Sequence, residues 1–191
     1  MPNKEQLRNK YYKTRKKKYF EVSDNFFKPL ISLLNKFFKK KLIYLSFYYP
    51  SNYEVNTLNL FSSIKRKKNI KALLPVINSR DQMTFVQWDF LDILKVNKYG
   101  MLEPAIKKRS LIPNVALVPL LAFDKKNYRL GYGKGYYDKF LNKYLKLNKS
   151  IITIGVAFSF QKYNKLPTSK FDVKLDYILT EKGIREQIWT Y

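Results

Sequence analysis

The chain contains no cysteine and no histidine among its 191 residues. Without thiols there is neither a disulfide nor a thiolate metal site, and without imidazole the usual zinc ligands are missing as well. The same absences remove the commonest general base and any Ser-His or Cys-His dyad, so chemistry must rest on carboxylates, Lys, Arg, Tyr and backbone. Long apolar runs are also lacking: none approaches the roughly 20 residues needed to span a bilayer. The segment Met1–Arg8 is polar and has no apolar core of a secretory signal, so a soluble, cytoplasmic protein without a membrane partner is expected. No Pro/Gly/Ser-rich linker divides the chain, and one domain is the default for this length.

Acidic residues are few, 14 against 38 Lys and Arg, which leaves a net charge of +24. Such a field draws in any polyanion: nucleic acid, an anionic membrane or a phosphorylated substrate. The densest runs are Lys13, Arg15, Lys16, Lys17 and Lys18, then Lys39-Lys40-Lys41, then Lys65-Arg66-Lys67-Lys68. Each adjoins a helical pattern and reads as a solvated helix face or end. Lys, Asn, Ile, Tyr and Phe are abundant throughout, so interleaved aromatics carry little weight as base-stacking platforms. A non-enzymatic RNA-binding protein is the alternative this charge suggests, but no RNA-binding signature accompanies it.

Glycine is scarce, and three of the six glycines alternate within Arg129-Leu130-Gly131-Tyr132-Gly133-Lys134-Gly135-Tyr136-Tyr137-Asp138. The stretch follows the apolar run Val115–Phe123 and precedes a periodic one, so it reads as the turn between a buried strand and a helix starting near Gly135. Alternating glycines free successive N–H groups to face one small volume, and the helix N-terminus adds the positive end of its dipole. That volume suits a phosphate. Arg129 and Lys134 supply charge, and Asp138, one turn inside, could hold a magnesium ion. A plain glycine turn, with Asp138 merely complementing the dipole, needs only one or two glycines. The spacing is neither the Walker nor the dinucleotide fingerprint.

Helical patterns run from Lys4 to about Phe20, from Ser23 or Asp24 onward with Phe26, Phe27, Leu30, Leu33, Leu34 and Phe37 as apolar face, from Thr57 to Lys67, and from Tyr136 to Leu147. A further short helix is expected around Asp89 to Leu94, followed by an irregular loop through Gly100 and Pro104. Strands are expected at Leu42–Phe47, Ala72–Val76, Met83–Trp88, Val115–Pro119 and Ile151–Phe158, with Tyr177–Leu179 closing the domain. This alternation predicts an α/β fold of βα units around a largely parallel sheet with helices on both faces, its ligand site beyond the carboxyl ends of the strands.

Val118-Pro119-Leu120-Leu121-Ala122-Phe123-Asp124, followed by Tyr128 through Asp138, closely resembles the signature of the 5-formyltetrahydrofolate cyclo-ligase (5,10-methenyltetrahydrofolate synthetase) family. Lys4–Arg8, Glu54–Thr57, Tyr99–Pro104, Ala157–Gln161 and Phe171–Asp176 agree in order, so the resemblance covers the whole chain. It implies a single three-layer α/β/α domain that converts 5-formyltetrahydrofolate and ATP to 5,10-methenyltetrahydrofolate, ADP and phosphate with Mg²⁺. By resemblance Lys4 and Arg8 meet ATP, and Arg129, Leu130, Gly131, Tyr132, Gly133, Lys134, Gly135, Tyr136 and Tyr137 enclose its phosphates, with Arg129 and Lys134 acting on the transferred group. Asp138 and Asp172 match the magnesium-binding carboxylates. Glu54 matches the acidic residue that holds the folate, with Tyr49, Arg8, Tyr132 and Tyr136 as further folate contacts. A monomer that binds possibly polyglutamylated folate and no specific nucleic acid is expected. In this chain Phe171 stands where many relatives carry His.

Taken singly, these residues have ordinary readings too. Lys4 and Arg8 could be surface charge, Glu54 could belong to a helix start with Thr57, and Asp172 or Asp176 could end a loop. Tyr132, Tyr136, Tyr137, Trp88 and Phe158 could stack on a ligand or simply pack in the core. Another phosphate-ligand enzyme, such as a sugar-phosphate isomerase, would share the fold.

Overall fold

The computed structural model describes residues 2–39, 41–65, 67–78, 80, 82–106, 108–147 and 150–187. The helix α1 (Lys4–Lys18) opens on a capping box in which Asn3 and Gln6 each accept the other's backbone N–H at 2.9 Å. A 3₁₀ turn (Asp24–Phe27) leads into α2 (Lys28–Phe38), where Pro29 occupies the first turn and its missing N–H costs nothing. There follow β1 (Ile43–Ser46), α3 (Leu58–Ile64), β2 (Ile70–Ile77), β3 (Met83–Gln87), β4 (Leu94–Val96), β5 (Leu102–Pro104) and β6 (Ser110–Leu111). Then come β7 (Val115–Pro119), β8 (Ala122–Phe123), β9 (Arg129–Leu130), α4 (Tyr136–Lys146), β10 (Ile152–Val156), β11 (Tyr177–Thr180) and β12 (Gly183–Glu186).

Eight strands form one sheet in the order β12-β11-β10-β7-β1-β2-β3-β6. Parallel pairs join β11, β10, β7, β1 and β2; β12 pairs antiparallel with β11, β3 with β2 and β6 with β3. The period of two along a strand separates the core into two layers. On β7, Val115 and Leu117 join the cluster that includes Leu30 and Leu34 of α2 and Leu60, Phe61 and Ile64 of α3. Ala116 and Val118 join the cluster with Phe140 and Leu141 of α4. The same alternation holds for Ala72 and Leu74 against Leu73, and for Tyr177 and Leu179 against Ile178. The chain is therefore an α/β domain with helices on both sides of a mostly parallel sheet. The fourth helix, α1, sits elsewhere: Leu7 and Tyr11 pack on Leu121, Ala122 and Leu130, just past the carboxyl end of β7.

Several expectations need correction. The short helix around Asp89 to Leu94 does not form. The Asp92 carboxylate accepts the Asp89 N–H at 2.7 Å and the Asp92 N–H returns to the Asp89 carbonyl at 2.9 Å, which closes a turn instead. Residues expected as an irregular loop form the β4–β5 hairpin. Glu103, 3 % exposed, anchors it to β2 by accepting the Ile77 N–H at 3.0 Å. Strand β7 does not feed the glycines directly, because the β8–β9 hairpin intervenes; its turn is held by Asp124, which accepts the Lys126 and Tyr128 N–H groups, with Asn127 at φ 59°. Finally β12, turned by Gly183 at φ 109°, closes that edge of the sheet rather than β11. Of the basic runs, Lys40 and Arg66 lie outside the described residues.

Candidate active site

The glycine loop joins β9 to α4 at the carboxyl end of the sheet, and each glycine answers a separate local demand. A Cβ on Gly131 would lie 2.7 Å from the Arg129 guanidinium, and one on Gly133, at φ 102°, would lie 3.3 Å from Cζ of Arg8. Gly135 takes φ 68° as the residue before α4, which starts with no side-chain cap on its free N–H groups. Close approach of two guanidinium groups to the backbone, as well as a left-handed turn into the helix, therefore requires the alternation. Arg8 donates Nε–H to the Gly131 carbonyl at 2.9 Å.

Helix α1 supplies three bases on nearly one face, because residues four and eleven apart return to similar angles at about 100° per residue. Lys4 pairs with Asp172 at 2.6 Å, Arg8 meets Gly131, and Arg15 reaches the Tyr132 hydroxyl. Arg129 pairs with Asp138 at 2.7 Å, and the other Asp138 oxygen accepts the Val173 N–H at 3.2 Å. Burial pushes Asp172 up, but hydrogen bonds from Lys4 and Ser169 and the Lys4 charge bring its carboxyl below the ordinary value.

Across from these charges, Glu54 sits in a loop whose Asn52 and Tyr53 take φ 50° and 62°. Its Oε2 accepts the Ser51 N–H at 2.9 Å and its Oε1 accepts the Tyr132 hydroxyl at 2.5 Å. Glu54 is 7 % exposed, and burial raises its pKa even though Arg15, Tyr132 and Ser51 all act to lower it. The helix-start reading of Glu54 fails: the buried Thr57 hydroxyl donates to the Tyr48 carbonyl at 2.7 Å and leaves α3 without a side-chain cap.

The two walls enclose one cavity of ≈ 440 Å³, a size common for small-ligand sites. Lys4, Arg8, Arg129, Leu130, Gly131, Tyr132, Gly133, Lys134, Gly135, Tyr136, Tyr137, Asp138 and Asp172 line it from one side and Tyr49 and Glu54 from the other, so each residue that the family resemblance assigned to the site is brought to it. Pro75, Ile77 and Met83 form an apolar floor. The β4–β5 hairpin adds Tyr99, Met101 and Leu102, which sequence reasoning placed in a shared segment without giving them a role. Tyr99 and Tyr136 share a 2.6 Å hydroxyl–hydroxyl hydrogen bond, and Lys134 Nζ lies 5.4 Å from the Tyr99 ring centre. Trp88 and Phe158 are core residues, 2 % and 0 % exposed, and do not reach the cavity. Phe171 is at the surface, its carbonyl accepting from Asn142.

Two polar atoms beside the cavity, Arg129 Nε and the Tyr137 hydroxyl, are buried without a hydrogen-bond partner. Such groups are costly unless something meets them, and a bound anion would. Burial, with the Glu54 charge behind it, pushes the Tyr137 hydroxyl well above its ordinary value, so it remains a proton donor. Among the described residues no three acidic side chains cluster to cage a metal. Asp138 and Asp172 are two separate carboxylates lining the cavity, each paired with a base. No described helix is long and apolar enough to cross a membrane.

A model of the 5-formyltetrahydrofolate cyclo-ligase family matches residues 2–181. The chain belongs to this family. The 5-formyltetrahydrofolate cyclo-ligase of Haemophilus influenzae is 33% identical over 142 residues, covering 71% of this chain and 74% of that protein. That of Mycoplasma pneumoniae is 33% identical over 137 residues, covering 64% and 80%. Among solved structures, the 5,10-methenyltetrahydrofolate synthetase of Aquifex aeolicus superposes with a TM-score of 0.75 at 28% identity over 98% of this chain and 94% of that one. The Mycoplasma pneumoniae synthetase gives 0.72 at 25% identity, covering 94% and 99%. In this family member the acidic wall and the glycine wall are joined by Arg15, a member of a basic run expected to be solvated. Arg15 is 1 % exposed, whereas Lys13, Lys16, Lys17 and Lys18 of the same run are exposed. One signal could have found it: Leu7, Tyr11 and Arg15 follow each other at intervals of four, so the buried stripe of α1 runs into the arginine.

Proposed function

We propose that the protein converts 5-formyltetrahydrofolate and ATP to 5,10-methenyltetrahydrofolate, ADP and phosphate. The observation that carries this reading is the single cavity shared by a cation-flanked glycine loop and the Glu54 carboxylate. Lys4 and Arg8 hold the nucleotide, Arg129, Lys134 and the backbone of Leu130 through Tyr137 take its phosphates, and Glu54 accepts N–H donors from the pterin edge, with Tyr49, Arg8, Tyr132 and Tyr136 along the folate. The ion pairs Arg129–Asp138 and Lys4–Asp172 then have a use: each base can turn to a phosphate while its carboxylate turns to the metal. Mg²⁺ held by Asp138 and Asp172 would neutralise phosphate charge when bound.

The formyl oxygen is a poor leaving group until phosphorylated. It attacks the γ-phosphorus, the bond to the bridging oxygen of ADP breaks, and an N5 iminium phosphate results. N10 then attacks the formyl carbon, and loss of phosphate with the N10 proton leaves the cationic methenyl ring. No protein nucleophile is required, which agrees with a chain lacking Cys and His; Arg129 and Lys134 contribute positioning and charge. The net charge of +24 helps to gather both anionic substrates, polyglutamylated folates included, and the protein works as a cytoplasmic monomer.

The test is absorbance in the methenyl band after mixing protein, Mg·ATP and 5-formyltetrahydrofolate. Wild-type protein makes product, and Lys134→Ala and Asp138→Ala, shown to be folded by circular dichroism, lose on the order of 100-fold or more in kcat. Full activity in both variants refutes the assignment of the phosphate loop.

A further inference from the structure

Arg15 raises a question that packing alone does not answer. Its guanidinium is almost wholly buried, no described ion pair includes it, and its Nε has no partner. A buried cation whose hydrogen bonds all go to neutral oxygens, with the Glu54 charge acting on it only through space, is a poor stabiliser, and an apolar side chain of similar length would serve the packing of α1 better. Its hydrogen bonds go to the Leu120 carbonyl at 3.1 Å, the Asn52 carbonyl at 2.7 Å and the Tyr132 hydroxyl at 2.6 Å, and it lies 5.6 Å from the Tyr132 ring centre. Those partners belong to the end of β7, the loop that carries Glu54, and the glycine loop.

We propose that Arg15 is a positioning residue for the folate, acting through Tyr132 on Glu54. Donors and acceptors fix the direction of the relay. A guanidinium only donates, so the Tyr132 oxygen must accept from Arg15 and its single proton must point to Glu54 Oε1, 2.5 Å away. Glu54 Oε2 receives the Ser51 N–H and hydroxyl at 2.9 and 3.3 Å. Every protein contact on the carboxylate is thus a donor, the arrangement suited to an ionised group whose remaining lone pairs face the cavity. Were Arg15 absent, the phenol could reverse, accept a proton from a neutral Glu54, and spoil that acceptor for the pterin N–H groups. The bond to Asn52 fixes the same loop at its positive-φ turn, so one side chain sets both the orientation of the carboxylate and its distance from the glycines.

This inference rests on the reading of Glu54 as the pterin-facing carboxylate. Steady-state kinetics with Mg·ATP and 5-formyltetrahydrofolate are to be measured for wild type, Arg15→Met, Tyr132→Phe and the double variant. Arg15→Met raises KM for the folate about 10- to 100-fold, as expected for losing a charge-assisted hydrogen bond, and leaves KM for ATP within about 3-fold. Tyr132→Phe cuts the same relay without emptying the buried site of Arg15 and gives a similar selective rise. The double variant is no worse than Arg15→Met alone, because that substitution already removes the relay through Tyr132 together with the bond to Asn52. An unchanged folate KM in folded Arg15→Met, equal rises for both substrates, or additive losses overturn the proposal. If Arg15→Met does not fold, Tyr132→Phe decides alone, and a normal folate KM there overturns it. Wild-type protein that makes no methenyl product would instead fell the functional reading, and this inference with it.

Discussion

Replacing Gly133 by alanine separates backbone strain from loss of the site. At φ 102° an L-residue is outside its comfortable regions, which costs about 1–3 kcal/mol. The new Cβ would also stand 3.3 Å from Cζ of Arg8, tighter than ordinary contact, while Arg8 is tied by Nε to the Gly131 carbonyl at 2.9 Å. The loop relieves both by relaxing away from its native conformation, and under the proposed function a phosphate must then restore that conformation on binding. About 1.4 kcal/mol corresponds to a factor of ten, so KM for ATP should rise by roughly 10- to 100-fold. Gly183→Ala is the matched control: φ is 109°, nothing lies within 4 Å of the added Cβ, and the turn is between β11 and β12. It carries the backbone cost without the arginine contact, so it lowers the thermal midpoint and leaves KM for ATP unaltered. The assay is product absorbance at varied ATP alongside thermal melts of both variants. If Gly133→Ala keeps its ATP KM within twofold, or Gly183→Ala loses ATP as severely, the loop is not the phosphate cradle.

Other outcomes follow from the same geometry. Burial holds the pKa of Glu54 above its ordinary value of 4.5, so the stability linked to its protonated form is full below that value and is lost as pH rises through the raised one. Glu54→Gln cannot undergo that loss, so its melting temperature relative to wild type should climb between pH 4 and pH 7 while folate turnover collapses; a flat or falling difference contradicts a desolvated carboxylate. Gly155→Ala would place a Cβ 2.7–2.8 Å from the side chains of Ile178, Leu120 and Leu175, and overpacking of this kind costs about 1–3 kcal/mol. Denaturant unfolding should register that loss, with both KM values unaffected; an unchanged midpoint would mean that the strand interface yields more than a packed core should.

Much of the site was legible because its demands are local. Glycines spaced by two, one base before them and another among them, and a carboxylate in the first turn of a helix lie within ten consecutive residues, and positive φ or a close guanidinium leaves glycine as the residue that fits. The parallel strands were legible for the same reason: Val115–Val118 is apolar on both faces, as a doubly covered strand must be. The hairpin at Leu94–Pro104 was not, since its strands are three residues each and Asp89-Phe90-Leu91-Asp92 satisfies a helical pattern as well as a turn. Only the Asp92 carboxylate on the Asp89 N–H, together with Glu103 under Ile77, settles it.

By itself the sequence determined the alternation of strands and helices, the phosphate-sized turn and a chemistry free of thiol and imidazole, because each is a property of neighbouring residues or of composition. The tertiary structure decided what covers the face of α1 that holds Leu7, Tyr11 and Arg15, and with it which member of the Lys13–Lys18 run is buried. Leu7 and Tyr11 commit one face of α1 to the β8–β9 hairpin, and Arg15 is the charge that lies on that face. It likewise brought Tyr132 to Glu54 across 78 positions of chain. Such contacts are fixed by how the elements seat against one another; the spacing of Leu7, Tyr11 and Arg15 marks a face of α1 but not what covers it.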